Sequence, residues 1–408
     1  MGENFQPSDP GQVLELLAWA AAETKALEIR GLGSKAGYGR PLPELARLDL
    51  AALTGVTLYE PEELVLSAGA GTPLAEIEEL LAAENQQLAF EPPSYAALLG
   101  ASESAAATIG GVLACNLSGP RRIARGAARD HFLGVKCVSG RGEAFKSGGR
   151  VVKNVTGYDM SKLLAGSFGT LAAMTEVTLK VLPAPERTRT VLIAGLADGA
   201  AVEALTQAAG SSHDVSGLAH LPATAAARSA VSYVAGAGAA VTALRLEGPG
   251  PSVEHRCRAL RDEFSAYGPV EELHSTNSAT LWREIGEVAL LPGGDSVLWR
   301  LSTAPGDGAR VVDRILGATG QNAAEVLYDW GGGLVWLELP AGDPAAEAVR
   351  AALAEDGSAT LMRAPAELRA RLGVFMPQPP ALAALTERLK EAFDPRGILN
   401  PGRLYEGV

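Results

Sequence analysis

The chain has 408 residues and a formal net charge of −12, with 47% hydrophobic and 20% charged residues. That length exceeds the usual size of one hydrophobic core and points to two domains, and the composition is that of a globular protein rather than a disordered or fibrous one. The acidity excludes general nucleic-acid binding, because a phosphate polyanion is repelled except at a local basic patch. A small anionic substrate, which feels only the field of its own pocket, stays possible.

Cys115, Cys137 and Cys257 lie far apart with no CxxC spacing, which excludes an iron–sulfur cluster within this chain and a disulfide framework. Cys137 alternates with Leu133 and Val135 and is expected to be a small buried hydrophobe; a reducing cytoplasm fits these thiols. No Lys or Arg precedes Lys25, so the start lacks the basic region of a secretory signal. The apolar window Ser229 to Leu246 is short for a membrane span and is expected to be buried helix or strand, so membrane contact is expected only through a partner. His131, His213, His220, His255 and His274 form no HxxH or HxxxH pair, and no metal site is expected.

Along the chain, Asp9 can cap a helix with Pro10 at its first position and Val13, Leu16, Leu17, Ala20 and Ala21 at helical spacing. A strand over Leu27 to Arg30 then runs into a loop from Arg30 to Gly39 with four glycines and no acidic residue. Consecutive N–H groups in such a loop can form an anion site, although a Gly-rich loop by itself is weak evidence and this one is neither a Walker A sequence nor a GxGxxG. Strands follow at Leu48 to Leu50, Val56 to Tyr59 and Leu64 to Ala68, and Thr72-Pro73 opens a helix with Leu74, Ile77 and Leu81 inward. Together these read as a small mixed α/β subdomain.

A loop-rich region from Glu91 to Gly111 leads to a second subdomain reaching about Pro183. Within it, Ala106 to Gly111 and Asn116-Leu117-Ser118-Gly119 are small residues that either let a flat ring lie against backbone, with Thr108, Asn116 and Ser118 offering hydrogen bonds, or form a packed loop beneath a helix. Arg121, Arg122, Arg125 and Arg129 follow within nine residues. An arginine there either stabilises a reduced cofactor or holds a substrate carboxylate, or it belongs to a solvated arm or a subunit contact. After the strand Phe132 to Val138 and a turn at Ser139 to Gly142 comes KNVTGYDMSKLLAGSFGTLAAMTEVTLKVLP, Lys153 to Pro183. It joins a polar turn, a short helix that Asp159 can cap, a Gly166-to-Thr170 turn with room for close backbone approach, and an alternating strand. Pro183-Ala184-Pro185-Glu186 reads as a rigid connector. Residues 186 to about 370 alternate Ala-rich helices with short strands such as Val297 to Leu301 and Leu334 to Leu339, and Gly331-Gly332-Gly333 is expected to make a hairpin turn or to lie near a ligand. Pro379-Pro380 opens a last helix with Leu382, Leu385, Leu389 and Phe393 on one face, ended by Asp394-Pro395-Arg396-Gly397.

The Lys153 to Pro183 segment resembles the FAD-binding domain of the vanillyl-alcohol oxidase and p-cresol methylhydroxylase superfamily, and within it looks most like the FAD-binding subunits of bacterial glycolate oxidases. The resemblance extends from about Leu27 to Pro183 and resumes at FDPRGILNPGRL, Phe393 to Leu404. It implies an α+β chain: a two-subdomain FAD-binding domain over 1–185, an α+β cap domain over 186–370, and a C-terminal segment over 371–408 that packs back on the FAD domain. It implies FAD contacts at Gly31, Leu32, Gly33, Ser34 and Lys35 in the diphosphate loop, at Thr108, Gly110, Gly111, Asn116, Ser118 and Gly119, at Gly166, Ser167, Gly169, Thr170 and Val177, and at Asn400, where a plain helix stop and turn is the alternative. Arg121 and Arg122 are the catalytic candidates. Some relatives tether flavin through a His or Cys of the diphosphate loop; this loop has neither, which implies non-covalent FAD. The implied activity is oxidation of a small 2-hydroxy acid, glycolate to glyoxylate, by hydride transfer to flavin. The implied partners are a second FAD-containing catalytic subunit and an iron–sulfur subunit. Related catalytic subunits often carry a closely spaced histidine metal site; its absence here puts independent oxidation by this chain in doubt. Alternatives are a self-sufficient FAD-dependent dehydrogenase of another hydroxy acid and a non-catalytic scaffold subunit.

Overall fold

The computed structural model describes residues 3–102, 105–150, 157–321 and 323–408, so Lys153 to Thr156 of the polar turn lie outside the described residues. By internal packing the chain divides into two units. One comprises Met1–Ser118, Gly126–Ala184 and Arg369–Val408; the other comprises Gly119–Arg125 and Pro185–Leu368. The first is therefore not the uninterrupted 1–185 expected from sequence, since Gly119–Arg125 packs within the second unit.

In the first unit, the helix Pro10–Glu23 begins where the Asp9 carboxylate accepts a hydrogen bond from the Gln12 N–H at 3.0 Å and Pro10 presets φ at a position that needs no N–H. Its Val13, Leu17 and Ala20 are buried against Leu27, Leu48, Val138 and Ala173. This core serves two sheets. A three-stranded parallel sheet has the spatial order Asn4–Phe5, Ala46–Asp49, Leu27–Arg30. A five-stranded antiparallel sheet has the order Val56–Glu60, Val65–Gly69, Ala172–Lys180, Phe132–Ser139, Ala144–Gly148.

Reading in chain order groups Val56 to Tyr59 and Leu64 to Ala68 with Leu27 to Arg30, and the structure regroups them: Val65 pairs with Lys180 and Ala68 with Val177. All five residues of Val65–Gly69 are buried, and a strand covered on both faces needs neighbours along both edges. The loop expected to run to Gly111 also ends earlier, at a helix Ile109–Cys115 capped by Thr108.

The C-terminal helix Pro380–Phe393 departs from its expected packing, because Leu382 and Leu385 are exposed and its buried residue is Lys390. The Lys390 ammonium donates to Thr170 O and Leu399 O, both at 2.8 Å, and to the Asp394 carboxylate at 2.7 Å. Asp394 in turn accepts from the N–H groups of Ile398 and Leu399. The Asp-Pro-Arg-Gly element is thus a buried polar hub that sets the path of the tail, which then runs parallel to Leu27–Arg30 through Leu27 N–H to Ile398 O (2.7 Å) and Asn400 N–H to Leu27 O (3.0 Å).

The second unit is built on an eight-stranded sheet in the order Val270–His274, Arg187–Ala194, Val241–Gly248, Val215–Leu221, Glu325–Asp329, Leu334–Leu339, Val297–Ser302, Ser358–Arg363. The helices Asp198–Ala209 and Gly250–Phe264 bury Leu205, Leu260 and Phe264 against Val191, Ile193 and Leu244. The window Ser229 to Leu246 resolves into a short helix Ser232–Ala235 and the buried strand Val241–Gly248. Gly331 and Gly332, with φ of +67° and +87°, make the turn between two antiparallel strands. Among the described residues no helix is long and apolar enough to cross a membrane.

Candidate cofactor site

A cavity in the first unit encloses about 110 Å³ and is lined by the loop from Ile29 to Ala36, the start of the helix Ile109–Cys115, the turn at Phe168 and Gly169, and Asn400 and Arg403 of the tail. The loop turns tightly, with Ala36 N–H bonded to Gly33 O (3.1 Å) and Tyr38 N–H to Lys35 O (2.9 Å). Among the described residues, the N–H groups of Gly31, Leu32, Gly33 and Ser34 find no acceptor. Four consecutive unmatched donors make an anion cradle. Gly31 is required by contact, since a Cβ there would come to 2.7 Å from Thr108 Oγ1, and Gly33 by its φ of +86°.

The charge of the wall agrees with that geometry. Among the described residues, Arg30, Lys35 and Arg403 line the cavity and no Asp or Glu does. Arg30 Nε is buried with no hydrogen bond, 3.5 Å from Glu28. Burial holds the Arg403 guanidinium below its ordinary value; Glu28 and Cys115 oppose that shift, whereas Arg369 and Arg30 reinforce it. Burial likewise pushes the Cys115 thiol up to about 11 against the opposing pull of Lys35 and Arg403. Unmatched donors, glycines at the approach and cationic side chains in the wall suit a dinucleotide with a diphosphate.

Of the residues expected at the cofactor, Gly31, Leu32, Gly33, Ser34, Lys35, Thr108, Gly110, Gly111, Gly169 and Asn400 are brought together around this cavity. Asn400 also serves as a clip: its Oδ1 accepts from Ile29 N–H at 2.8 Å and its Nδ2 donates to Phe168 O at 2.7 Å, tying the strand before the loop to the Gly166 to Thr170 turn. Thr108 caps its helix by accepting from Gly111 N–H at 3.2 Å.

The other expected residues do not line the cavity. Asn116 ends the helix in a left-handed conformation and accepts from Arg129 N–H; Ser118 accepts from Ala128 N–H. Gly166 and the buried pair Ser167 and Thr170 build the turn, with Gly166 N–H to Leu113 O and Thr170 Oγ1 to Ser167 O, and Val177 is a fully buried sheet residue. Gly119 belongs to the second unit, where its carbonyl accepts from Trp330 Nε1. The sequence reading missed Arg30, Cys115, Phe168, Met174 and Arg403; a cation on each side of the glycines and another just past the Asn-Pro-Gly was the available signal for the arginines.

Arg121 and Arg122, the catalytic candidates, belong to the second unit. Arg121 Nε and Nη2 donate to the Glu247 carboxylate at 2.9 and 2.5 Å, within the second unit, and both side chains are largely buried. Burial by itself would raise the Glu247 carboxyl, but Arg245 and then Arg121 pull it down to about 2. Arg122 lies 4.9 Å from the centroid of Trp330, which Arg300 also approaches at 5.2 Å. The bidentate pair fixes the Arg121 guanidinium against Glu247.

Residues 4–148 match the FAD binding domain family and residues 376–404 the C-terminal domain family of FAD linked oxidases. The chain is 34% identical over 397 residues to glycolate oxidase subunit GlcE of Escherichia coli (strain K12), covering 96% of each. It is 31% identical over 185 residues to a D-lactate dehydrogenase of Archaeoglobus fulgidus, 44% of this chain and 39% of that one. The fold is shared with p-cresol methylhydroxylase, at a TM-score of 0.71 and 16% identity over 98% of this chain and 88% of that one. The chain therefore belongs to the FAD-linked oxidases with a p-cresol-methylhydroxylase-type fold, in the family of the glycolate oxidase subunits, and is a FAD-dependent oxidoreductase.

Proposed function

We propose that this chain is the FAD-binding subunit of a multi-subunit glycolate oxidase, in which glycolate is oxidised to glyoxylate and electrons pass to an iron–sulfur partner. The observation that carries this reading is the end-to-end similarity to a glycolate oxidase subunit, joined to a cavity whose donors and charges suit FAD. When bound, FAD supplies the acceptor for the hydride from C2 of the hydroxy acid. The chain's own residues bind and orient: the N–H groups of Gly31 to Ser34 with Arg30 and Lys35 hold the diphosphate, Gly110 and Gly111 admit the ring against backbone, and Asn400 holds the two sides of the cavity together.

The chain offers no closely spaced histidine pair, so proton abstraction from the substrate is assigned to a second flavoprotein subunit. The complex sits in the cytoplasm, with any membrane contact made by partners. The isolated chain is expected to show little glycolate-dependent dye reduction, with activity appearing when a second flavoprotein and an iron–sulfur subunit are added. Vigorous turnover by the pure chain would instead identify a self-sufficient dehydrogenase.

The flavin is expected to be non-covalent. The loop from Arg30 to Gly39 has no His or Cys. Cys115 lines the cavity, but with its thiol raised to about 11 it is a poor nucleophile at neutral pH. Acid precipitation should release all the yellow colour into the supernatant, and Cys115→Ser should leave flavin content unchanged. Flavin remaining on the denatured wild-type chain, and absent from the Cys115→Ser chain, would show a thioether instead.

A further inference from the structure

We infer that Arg403 is a latch between the C-terminal segment and the loop Gly31 to Gly39, and that the diphosphate of FAD closes it. The latch is built from both the backbone and the side chain of one tail residue. Arg403 Nη2 donates to Ala36 O at 2.8 Å and to Lys35 O at 3.3 Å, while Arg403 O accepts from Arg40 N–H at 2.9 Å. Arg369 acts on the same stretch, with its Nη1 donating to Gly37 O and Gly39 O. Residues from the C-terminal part of the chain thus take up the carbonyls of the loop's second half, while the N–H groups of its first half remain unmatched.

The grip concentrates positive charge. These Arg403 bonds go to neutral carbonyls, and Arg30, Lys35 and Arg403 share the cavity wall with Arg369 nearby. The carboxylate acting on Arg403 is Glu28, which also lies 3.5 Å from both Arg30 and Arg47. Among the described residues this one shared carboxylate does not neutralise Arg30, Arg369 and Arg403, and like charges in a partly desolvated cavity repel. A diphosphate diester brings two negative charges to the same wall. Binding it removes the repulsion that otherwise pushes tail and loop apart, so docking of Asp394 to Val408 and cofactor binding are coupled equilibria. The direction of the Arg403 shift agrees with this, since a guanidinium held below its ordinary value is one whose charge lacks full compensation.

The test uses the full-length protein stripped of flavin, with inorganic pyrophosphate as the anion and riboflavin as the ligand lacking phosphate. Pyrophosphate should raise the thermal midpoint and slow proteolytic clipping of the C-terminal segment, and riboflavin should not slow it. Arg403→Gln should bind FAD about 30-fold or more weakly, as expected when one partner of a buried charge contact is removed, and should lose the pyrophosphate protection. Its FAD affinity should also depend less steeply on salt. Equal clipping of the wild-type tail with and without pyrophosphate would overturn the latch, as would an Arg403→Gln variant with wild-type FAD affinity and salt dependence. Should that variant not fold, the wild-type protection experiment decides alone, protection supporting the latch and its absence overturning it. Neither glycolate nor a partner subunit enters these measurements, so their failure is distinct from failure of the glycolate reading.

Discussion

Gly33→Asp is expected to abolish FAD binding. Gly33 sits at φ +86°, where any L side chain is strained, and its nearest foreign atom is Arg30 Nη2, 3.6 Å from the Cβ position. The strain costs roughly 1–2 kcal/mol. The charge weighs more: a carboxylate beside Arg30 occupies the cation meant for the diphosphate and repels that group at about 4 Å, on the order of 4 kcal/mol at an effective dielectric of 20. Together they amount to a loss of roughly a thousandfold or more in affinity. Gly33→Ala carries the strain without the charge and should retain measurable binding. The measurement is flavin content of the purified protein followed by FAD titration; stoichiometric flavin in Gly33→Asp would remove this loop from the cofactor site.

Arg121→Ala is expected to destabilise the second unit by about 3 kcal/mol, roughly 10 °C in Tm for a domain of this size, while leaving the flavin spectrum and reduction potential unchanged. Its guanidinium is bonded to Glu247, and truncation leaves a buried carboxylate with less compensation. Replacing both residues together by Met should recover much of the loss, because the cost lies in the unpaired charge rather than in the missing pair.

The pH dependence has a definite sign. The Glu247 carboxyl lies at about 2 in the folded chain against an ordinary 4.5. Its contribution, about 3 kcal/mol from the size of that shift, is present in full above pH 4.5 and is lost as pH falls towards 2. The Tm difference between wild type and Arg121→Ala should therefore be constant near neutrality and narrow below pH 4.5. A shifted flavin potential with unchanged Tm would return Arg121 to the cofactor.

Local chemistry made much of this chain legible in one dimension. Asp9-Pro10 specified a helix start because the cap needs only the carboxylate and the next few N–H groups. Asp159 likewise caps Met160–Leu164 through Lys162 N–H, and the Gly31 to Lys35 loop was legible as a tight turn able to take an anion because its glycines and lack of acids are both local. The amino-acid order could not show which strands share a sheet, since Val65 meets Lys180 across more than a hundred residues and an alternating strand fits many neighbours. It also left the roles of the arginines open. Arg121 meets Glu247 only because folding brings the two together, and Arg403 lines the cavity only because Lys390 and Asp394 turn the tail back beside Leu27. A charged side chain takes its function from its partners, and those are set by tertiary contacts; caps and glycine turns are set by the next few residues.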